Sequence, residues 1–381
     1  MLRRIAPPAS ALLLLIAAVV AIGDPRSMGP ELLRWQPFGA LSAPRAYASA
    51  VSLPTGEILV FGGIDRDEPN VALYTSELFD PSTGRTRVLA QPLPGRVQPS
   101  VVVTRDGRVV VAGGSEWRGD HWDVVDRVDV YLAYARTWVR AAPMLHGRTG
   151  LVAAPLKDGR VFVTGGYDGP RLIASSEIYD PHTDRWKRVA PMPTVRGDFA
   201  IATLPDGRVL VAGGLEGVES RPTLSSLYYD VAQDEWSAGP KLIVERVLQT
   251  QVKLPSGDLL IIGGQRGGSG TAERYDARSG RFVHAGTLVL PRMAAEAAAL
   301  PDGRVVVTGG LPVYPGERQR FDPTERTEIW DSATNLWREV APVTSGRAFA
   351  RLVQTPNGLY QVSGSAQGDR AEARVERFVW R

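Results

Sequence analysis

The chain has 381 residues, of which 44% are hydrophobic and 22% are charged. A chain of this length and apolar content can bury a full core. It contains no cysteine, which excludes disulfides, thiolate metal sites, cysteine nucleophiles and lipidation at cysteine. The 44 lysines and arginines nearly balance the 41 acidic residues and no basic run stands out, which argues against a nucleic-acid partner and against a polybasic membrane contact.

The first predicted element is an export signal over residues 1–23. Arg3 and Arg4 precede an apolar run from Ala11 to Ile22, which is short for a membrane span and suits the hydrophobic region of a secretory signal. An uncleaved signal anchor is the alternative. In both cases we expect the folded part outside the cytoplasm, either periplasmic, secreted or anchored facing outward. Residues 24–30 are then a linker, and no later segment is long and apolar enough to span a bilayer.

A repeat fills the rest of the chain, residues 31–381. Its clearest copy, LPDGRVLVAGG at 204–214, has a glycine turn followed by an apolar run and a closing glycine pair. Such turns predict β-hairpins, and the uninterrupted apolar run predicts a strand buried on both faces. An arginine stands seventeen residues before the first closing glycine in all seven copies. These arginines are Arg45, Arg96, Arg148, Arg196, Arg246, Arg292 and Arg347.

Two further strands complete each copy. The third ends in a motif such as Ser-Glu-Ile-Tyr-Asp, and most copies carry another aromatic seven residues after the first, as in Tyr179 and Trp186. Four short strands in about fifty residues are typical of a propeller blade. The glycine pair, the Tyr-Asp dipeptide and the later tryptophan resemble the Kelch repeat over about residues 31–381. The resemblance implies an all-β, seven-bladed Kelch-type β-propeller of the galactose-oxidase-like superfamily, with four antiparallel strands per blade.

The last copy is one strand short. Its third strand includes Phe378, and the chain ends soon afterwards, whereas the segment around Trp35 looks like a fourth strand that lacks its blade. We therefore expect the N-terminal strand to close the last blade and leave no long strand edge unpaired.

The resemblance also implies a ligand-binding face. In Kelch propellers the loops between the second and third strands, together with the fourth-to-first connections, surround one end of the central channel. Trp117 and Trp122 suit sugar faces or peptide side chains, although one of them could instead cap a neighbouring blade. The loop with Tyr314 either overhangs the channel or is an ordinary surface loop. The candidate binding residues are Arg66, Glu116, Trp117, His121, Trp122, Tyr167, Asp168, Arg196, Glu216, Gln265 and Tyr314.

The seven arginines allow two interpretations. As a ring they could bind an anionic ligand. Six third strands, however, carry an acid two residues before the aromatic, which favours structural ion pairs. The fourth copy has Leu227 at that position. We therefore expect Arg196, beside Asp198, to be the arginine that is available to a ligand.

Two enzyme classes are weighed against a binding protein. Similarity to galactose oxidase would imply a copper site that uses a tyrosine cross-linked to cysteine, and this chain lacks cysteine. Sugar mutarotases or epimerases, similar to the sialic-acid mutarotases of the Kelch class, would need an acid and an arginine, for which Glu116, Asp168, Glu216 and Arg196 are candidates. That family has six blades, however. We therefore expect an exported, monomeric, non-catalytic binder of a protein or glycan, with no cofactor, no metal and no nucleic-acid partner.

Overall fold

A computed structural model describes residues 33–65, 72–89, 95–150, 152–264, 270–314 and 322–380. The export signal and the linker predicted for residues 1–30 lie outside these ranges. Strands form nearly all of the regular structure, and one 3₁₀ turn, Gln367–Asp369, is the helical element among the described residues.

Seven antiparallel sheets with four main strands each, here called blades 1 to 7, account for most of the described chain. The inner strands are Ser49–Ser52, Ser100–Val103, Val152–Pro155, Ala200–Thr203, Thr250–Lys253, Glu296–Ala299 and Arg351–Thr355. The second strands are Ile58–Phe61, Arg108–Ala112, Val161–Thr164, Val209–Ala212, Leu259–Ile262, Val305–Thr308 and Gly358–Val362. The third strands are Ser76–Asp80, Val128–Leu132, Ser176–Asp180, Ser226–Asp230, Thr271–Asp276, Thr327–Asp331 and Arg370–Val379. The outer strands are Arg85–Val88, Thr137–Arg140, Arg185–Val189, Glu235–Ala238, Arg281–Thr287, Leu336–Val340 and Arg34–Arg45.

Apolar clusters between neighbouring blades hold the sheets in a ring. Each of seven clusters combines side chains from two adjacent blades, and one of them joins Val60 of blade 1 to Val362 of blade 7. The repeated aromatics lie in these clusters. Tyr229 of blade 4, for example, stacks on Phe162 of blade 3 with ring centroids 4.6 Å apart. The inner strands of most adjacent blades contact one another around the axis.

The two ends of the described chain meet in blade 7, as the sequence predicts. Trp35 lies opposite Phe378 in the antiparallel pair of outer and third strands, with ring centroids 5.0 Å apart. The Trp35 indole N–H also donates to the hydroxyl of Thr327 in blade 6, at 2.9 Å. The predicted closure by the N-terminal strand is therefore confirmed.

The disc has two faces that differ in their connections. The lower face carries the glycine turns between first and second strands, together with the turns between third and fourth strands. The upper face carries the closing glycine pairs and the loops that follow them. The glycine pairs are required by close approach: a Cβ on Gly214, whose φ is +80°, would lie 2.3 Å from the carbonyl oxygen of Gly197.

Short strand pairs extend the upper face beyond the blades. They arise because several of the second-to-third loops fold back on themselves as small hairpins. The pairs are Ser115–Trp117 with Trp122–Val124, Tyr167–Asp168 with Arg171–Leu172, Leu215–Glu216 with Arg221–Pro222 and with Arg196–Gly197, Arg292–Met293 with Leu311–Pro312, and Ser365–Ala366 with the third strand of blade 7.

Candidate functional site

The seven repeated arginines are interior groups of the blades. Their exposed fractions do not exceed 4%, the value for Arg96. In each blade the Nη1 group donates to two backbone carbonyls at 2.7 to 3.2 Å. One carbonyl follows the end of the second strand, and the other lies just before the third strand or, in blades 5 and 7, within it. The arginines therefore tie the second and third strands together and do not line a ligand site.

In six blades, a carboxylate of the third strand pairs with the buried arginine of the same blade. Five of the distances lie between 2.5 and 2.9 Å, and the sixth pair, Arg96 with Asp129, is also in contact. Burial lowers the pKa of Arg96 to about 10, although Asp129 opposes that shift, so the guanidinium stays charged at neutral pH. The prediction of structural ion pairs is confirmed for these blades.

Blade 4 corrects the prediction made for Arg196. Its side chain is fully buried, and its Nη2 group lies 2.6 Å from a carboxylate oxygen of Glu216. The Ser225 hydroxyl bonds to both side chains, accepting from Arg196 and donating to Glu216. Arg196 is therefore not available to a ligand, because the hairpin of the upper face supplies the acid that the third strand lacks.

Glu216 is held in its ionised form by this arrangement. Partial burial raises the pKa of its carboxyl group, but the hydroxyl of Thr223, the charge of Arg196 and the hydroxyl of Ser225 together lower it below the ordinary value. Sequence analysis named Arg196 and Glu216 as separate ligand contacts. The structure joins them as partners of each other.

A ring of left-handed residues surrounds the upper end of the channel. Each follows its buried arginine by two positions, just before the inner strand begins, and each has φ between 50° and 56°. Left-handed backbone is uncommon for residues other than glycine, and such residues cluster at functional sites. We call this set the mouth ring; it consists of Tyr47, Gln98, Gly150, Asp198, Leu248, Ala294 and Phe349.

Contacts between members show that the mouth ring is continuous over several blades. The Tyr47 and Phe349 rings lie 4.8 Å apart. The Phe349 N–H donates to the Ala294 carbonyl at 3.3 Å, and the Ala294 N–H donates to the Leu248 carbonyl at 3.1 Å. Sequence analysis did not identify this ring. Its position in the repeat could be read from the chain, but its backbone conformation could not.

The predicted residues of blade 2 come together in one hairpin on the same face. Trp117 and Trp122 are directly opposite each other, with ring centroids 5.4 Å apart, and Trp122 is exposed. At the hairpin tip, His121 contacts the carboxylates of Asp120 and Asp123 at 2.5 and 3.1 Å. These two acids, Asp120 first, raise the pKa of His121. The tryptophan pair is thus an aromatic surface with charged groups beside it.

A cavity of about 400 Å³ lies beside this hairpin, between blades 1 and 2. Trp117, Glu116, Arg118 and Arg127 line it, together with Tyr74 from blade 1. Glu116 is largely buried and lies 3.3 Å from Arg118 and 3.7 Å from Arg127, while its Oε1 atom has no hydrogen-bond partner among the described residues. Glu116 therefore places an acidic side chain inside the candidate site.

The candidates of blade 3 lie next to the mouth ring. The Tyr167 hydroxyl donates to the Asp198 carboxylate at 2.7 Å, and the exposed Asp168 lies 3.3 Å from His146. Burial, and next the hydrogen bond to Asp198, raise the pKa of Tyr167. Burial also raises the pKa of Asp198, although Tyr167 partly opposes this. These contacts bring an acid and a phenol together at the mouth.

The remaining candidates are placed less closely. Tyr314 is 54% exposed on the loop that follows the short strand Leu311–Pro312. Arg66 and Gln265 lie outside the described residues. Their predicted roles stay predictions.

Comparisons with known proteins agree with this architecture. The Kelch motif model matches residues 148–193, which begin at the buried arginine of blade 3. Over 92% of its length the chain superposes on a fungal alcohol oxidase of the AA5 family, solved in complex with copper, with a TM-score of 0.73, 18% sequence identity and 76% of that structure covered. The chain is a Kelch-repeat β-propeller with the galactose-oxidase-like fold.

Sequence relatives match this Kelch propeller over parts of their length. It is 34% identical to the human Kelch-like protein 24 over 124 residues, which are 32% of this chain and 19% of that protein. It is 28% identical to galactose oxidase from Gibberella zeae over 160 residues, which are 40% of this chain and 22% of that protein. The matched segments therefore cover less than a quarter of the length of either relative.

The copper group of galactose oxidases does not fit this Kelch propeller. The chain has no cysteine for the cross-linked tyrosine. His121 lies in an upper hairpin, His182 follows the end of the third strand of blade 3 and His284 lies on an outer strand. Across the described ranges, no group of three or more histidine, aspartate or glutamate side chains could hold a metal ion.

Within those same ranges, no helix has the length and apolar character needed to cross a bilayer.

Proposed function

We propose that this Kelch propeller is an exported, non-catalytic scaffold that binds a protein or a glycan through its upper face. The proposal of export rests on residues 1–23, whose charged start and short apolar run suit a secretory signal. Fractionation of producing cells tests this part: protein found only in the cytosol contradicts export.

The mouth ring is the observation that supports the upper face as the binding surface. Six residues other than glycine keep a left-handed backbone there, a conformation whose cost the surrounding blades must offset. The side chains at this position are also diverse, with aromatic rings in blades 1 and 7 and a carboxylate in blade 4. A rigid frame that presents unlike groups in fixed positions lowers the ordering cost of binding.

The tryptophan hairpin of blade 2 supports the same face. Trp117 and Trp122 hold each other in place, so an approaching partner meets a pre-formed aromatic surface. Rigid aromatics provide large contact area at low entropic cost, both in protein interfaces and against sugar rings. Peptide side chains and sugar faces are therefore both suitable partners.

Most of the residues named as candidates for mutarotase or epimerase catalysis pair with other side chains of the protein. Arg196 and Glu216 form a closed ion pair inside blade 4, which removes the arginine proposed to hold a substrate carboxylate. Asp168 is exposed and paired with His146. This distribution of partners favours binding over proton transfer.

Photo-cross-linking in the producing cells tests the proposal. A benzophenone amino acid at position 122 should capture a defined partner. The same residue at position 134 should not, because Tyr134 is an even more exposed aromatic but lies in a turn of the lower face. A glycan array probed with the intact protein distinguishes a sugar ligand from a protein.

Trp117→Ala combined with Trp122→Ala should weaken binding by about tenfold or more, while Tyr134→Ala should not. Equal binding by both variants contradicts the proposal.

A further inference from the structure

The lower end of the channel carries three cationic side chains that no function of the upper face requires. Arg105, Lys157 and Lys253 line one cavity of about 300 Å³. They come from blades 2, 3 and 5, at or just after the ends of the inner strands. Strand ends of four adjacent blades, 2 to 5, thus form the wall of this cavity.

All three residues depart from the repeat. Two positions before the turn glycine, five copies have proline, and blades 2 and 3 instead have Arg105 and Lys157. Four positions before that glycine, the other six copies have an uncharged residue where blade 5 has Lys253. The five prolines are Pro54, Pro205, Pro255, Pro301 and Pro356. The interior of a blade does not require a cation at either position, since the other copies fold without one.

Among the described residues no side-chain carboxylate forms an ion pair with these cations, although the charge of Lys157 contributes to the lowered pKa of Asp206. In the same turns, the aspartates pair with the arginine two positions later, as in Asp158 with Arg160 at 2.6 Å and Asp206 with Arg208 at 2.7 Å. Arg105, by contrast, forms no hydrogen bond or ion pair within the described ranges. The cavity lining itself contains no acidic residue.

The two lysines are held in place by backbone carbonyls. Lys253 donates to the Thr203 carbonyl at 2.7 Å, and Lys157 donates to the Pro205 carbonyl. Partial burial, and next the charge of Lys157, lower the pKa of Lys253. Both lysines line the same cavity and their charges repel each other, so an anion bound beside them would relieve that repulsion.

Apolar groups form the rest of the wall. Val103, Leu156 and Leu204 lie beside Pro155 and Pro205 in the same cavity. A cavity of this size, with apolar walls and a few convergent polar groups, has the character of a small-molecule site. An arginine beside two lysines selects for negative charge.

We propose that this cavity of the lower face binds a small organic anion, namely a carboxylate or phosphate monoester attached to an apolar or aromatic body. The anionic group contacts Arg105, Lys157 and Lys253, and the apolar body packs against the valine, leucine and proline side chains. The site lies on the face opposite to the tryptophan hairpin and the mouth ring, so it is independent of the proposed partner surface.

Calorimetric titration of the intact protein with phenyl phosphate and benzoate tests the proposal. Both should bind, phenol and benzyl alcohol should not, and about 0.5 M salt should weaken binding. The triple variant Arg105→Gln, Lys157→Gln, Lys253→Gln should lose about tenfold or more in affinity. Lys187→Gln is the matched control, since Lys187 is exposed on an outer strand away from the cavity.

Two results would overturn the anion site. One is equal binding of phenol and phenyl phosphate, and the other is unchanged affinity in the triple variant. If that variant does not fold, Lys157→Gln alone should still weaken binding by about threefold, and unchanged affinity then has the same meaning. The tryptophan double variant should bind phenyl phosphate like the wild type, so failure of the upper-face proposal remains distinguishable.

Discussion

Blade 4 and the other six blades bury the same arginine but take its carboxylate from different places. In the six, the acid stands on the third strand, whereas in blade 4 Leu227 occupies that position and Glu216 reaches in from the upper hairpin. In five of the six, the acid also accepts a backbone N–H three residues before the arginine, at 2.6 to 2.8 Å. The acid therefore bonds both to the arginine side chain and to the backbone of the connection that precedes the arginine.

Blade 4 has lost both partners of that second contact. Pro193 stands three residues before Arg196, and proline has no N–H to donate. A carboxylate at position 227 would therefore miss one of its two usual partners. In blade 4 the missing backbone donor and the missing third-strand acid therefore occur together, and a loop residue completes the interior ion pair instead.

The largest expected effect comes from giving the third strand of blade 3 the leucine that stands at the equivalent position in blade 4. Glu177→Leu leaves Arg148 buried without an acid and leaves the N–H of Leu145 without its acceptor. We expect the free energy of unfolding to fall by about 3–5 kcal/mol. Chemical denaturation measures this. Asp158→Asn, which breaks an exposed pair in the same blade, is the control and should cost at most about 1 kcal/mol. Equal losses in the two variants would mean that the buried pair is not special.

A smaller effect is expected where blade 4 has its substitute acid. Glu216→Gln removes one charge from the pair with Arg196 but leaves the carbonyl contacts of the arginine in place. The free energy of unfolding should fall by about 2 kcal/mol at neutral pH. Because Glu216 has a lowered pKa in the folded protein, its contribution is present above its ordinary pKa and is lost as the pH falls through the folded-state value.

Denaturation at several pH values checks that sign. The difference between wild type and Glu216→Gln should be full at pH 7 and should shrink below about pH 4. A difference that stays constant down to acid pH would show that the substituted glutamine perturbs packing and that the charge of Glu216 is not what stabilises blade 4.

The interior of the blades was predictable from the sequence because its spacings are constant. The arginines and acids recur at fixed positions, and Trp35 could be assigned to Phe378 by the missing fourth strand. Leu227 shows that the third strand of blade 4 lacks the acid, and Pro193 shows that the usual backbone donor is also absent. Together the two residues indicate that the acid for Arg196 comes from another segment.

The upper face was predictable only by residue type. Its loops differ in length, so their register follows no repeat, and Glu216 reaches Arg196 because those two residues happen to be paired across short strands. The mouth ring needs a left-handed backbone that residue types such as Tyr47 and Phe349 do not suggest. Arg105, Lys157 and Lys253 were hidden because they occupy two different repeat positions in three different copies.

The smallest expected effect concerns the other carboxylate that distinguishes blade 4, Asp198 in the mouth ring. Tyr167→Phe removes the hydroxyl that donates to it and should lower the free energy of unfolding by about 1 kcal/mol at neutral pH. Burial raises the pKa of Asp198 in the folded protein, so its charged form is destabilising above its ordinary pKa, and the phenol partly offsets this. The loss should therefore disappear at acid pH, where Asp198 is protonated. In an Asp198→Asn background the same change should have no pH dependence, and a loss that persists unchanged there would place the role of Tyr167 in packing, not in holding the carboxylate.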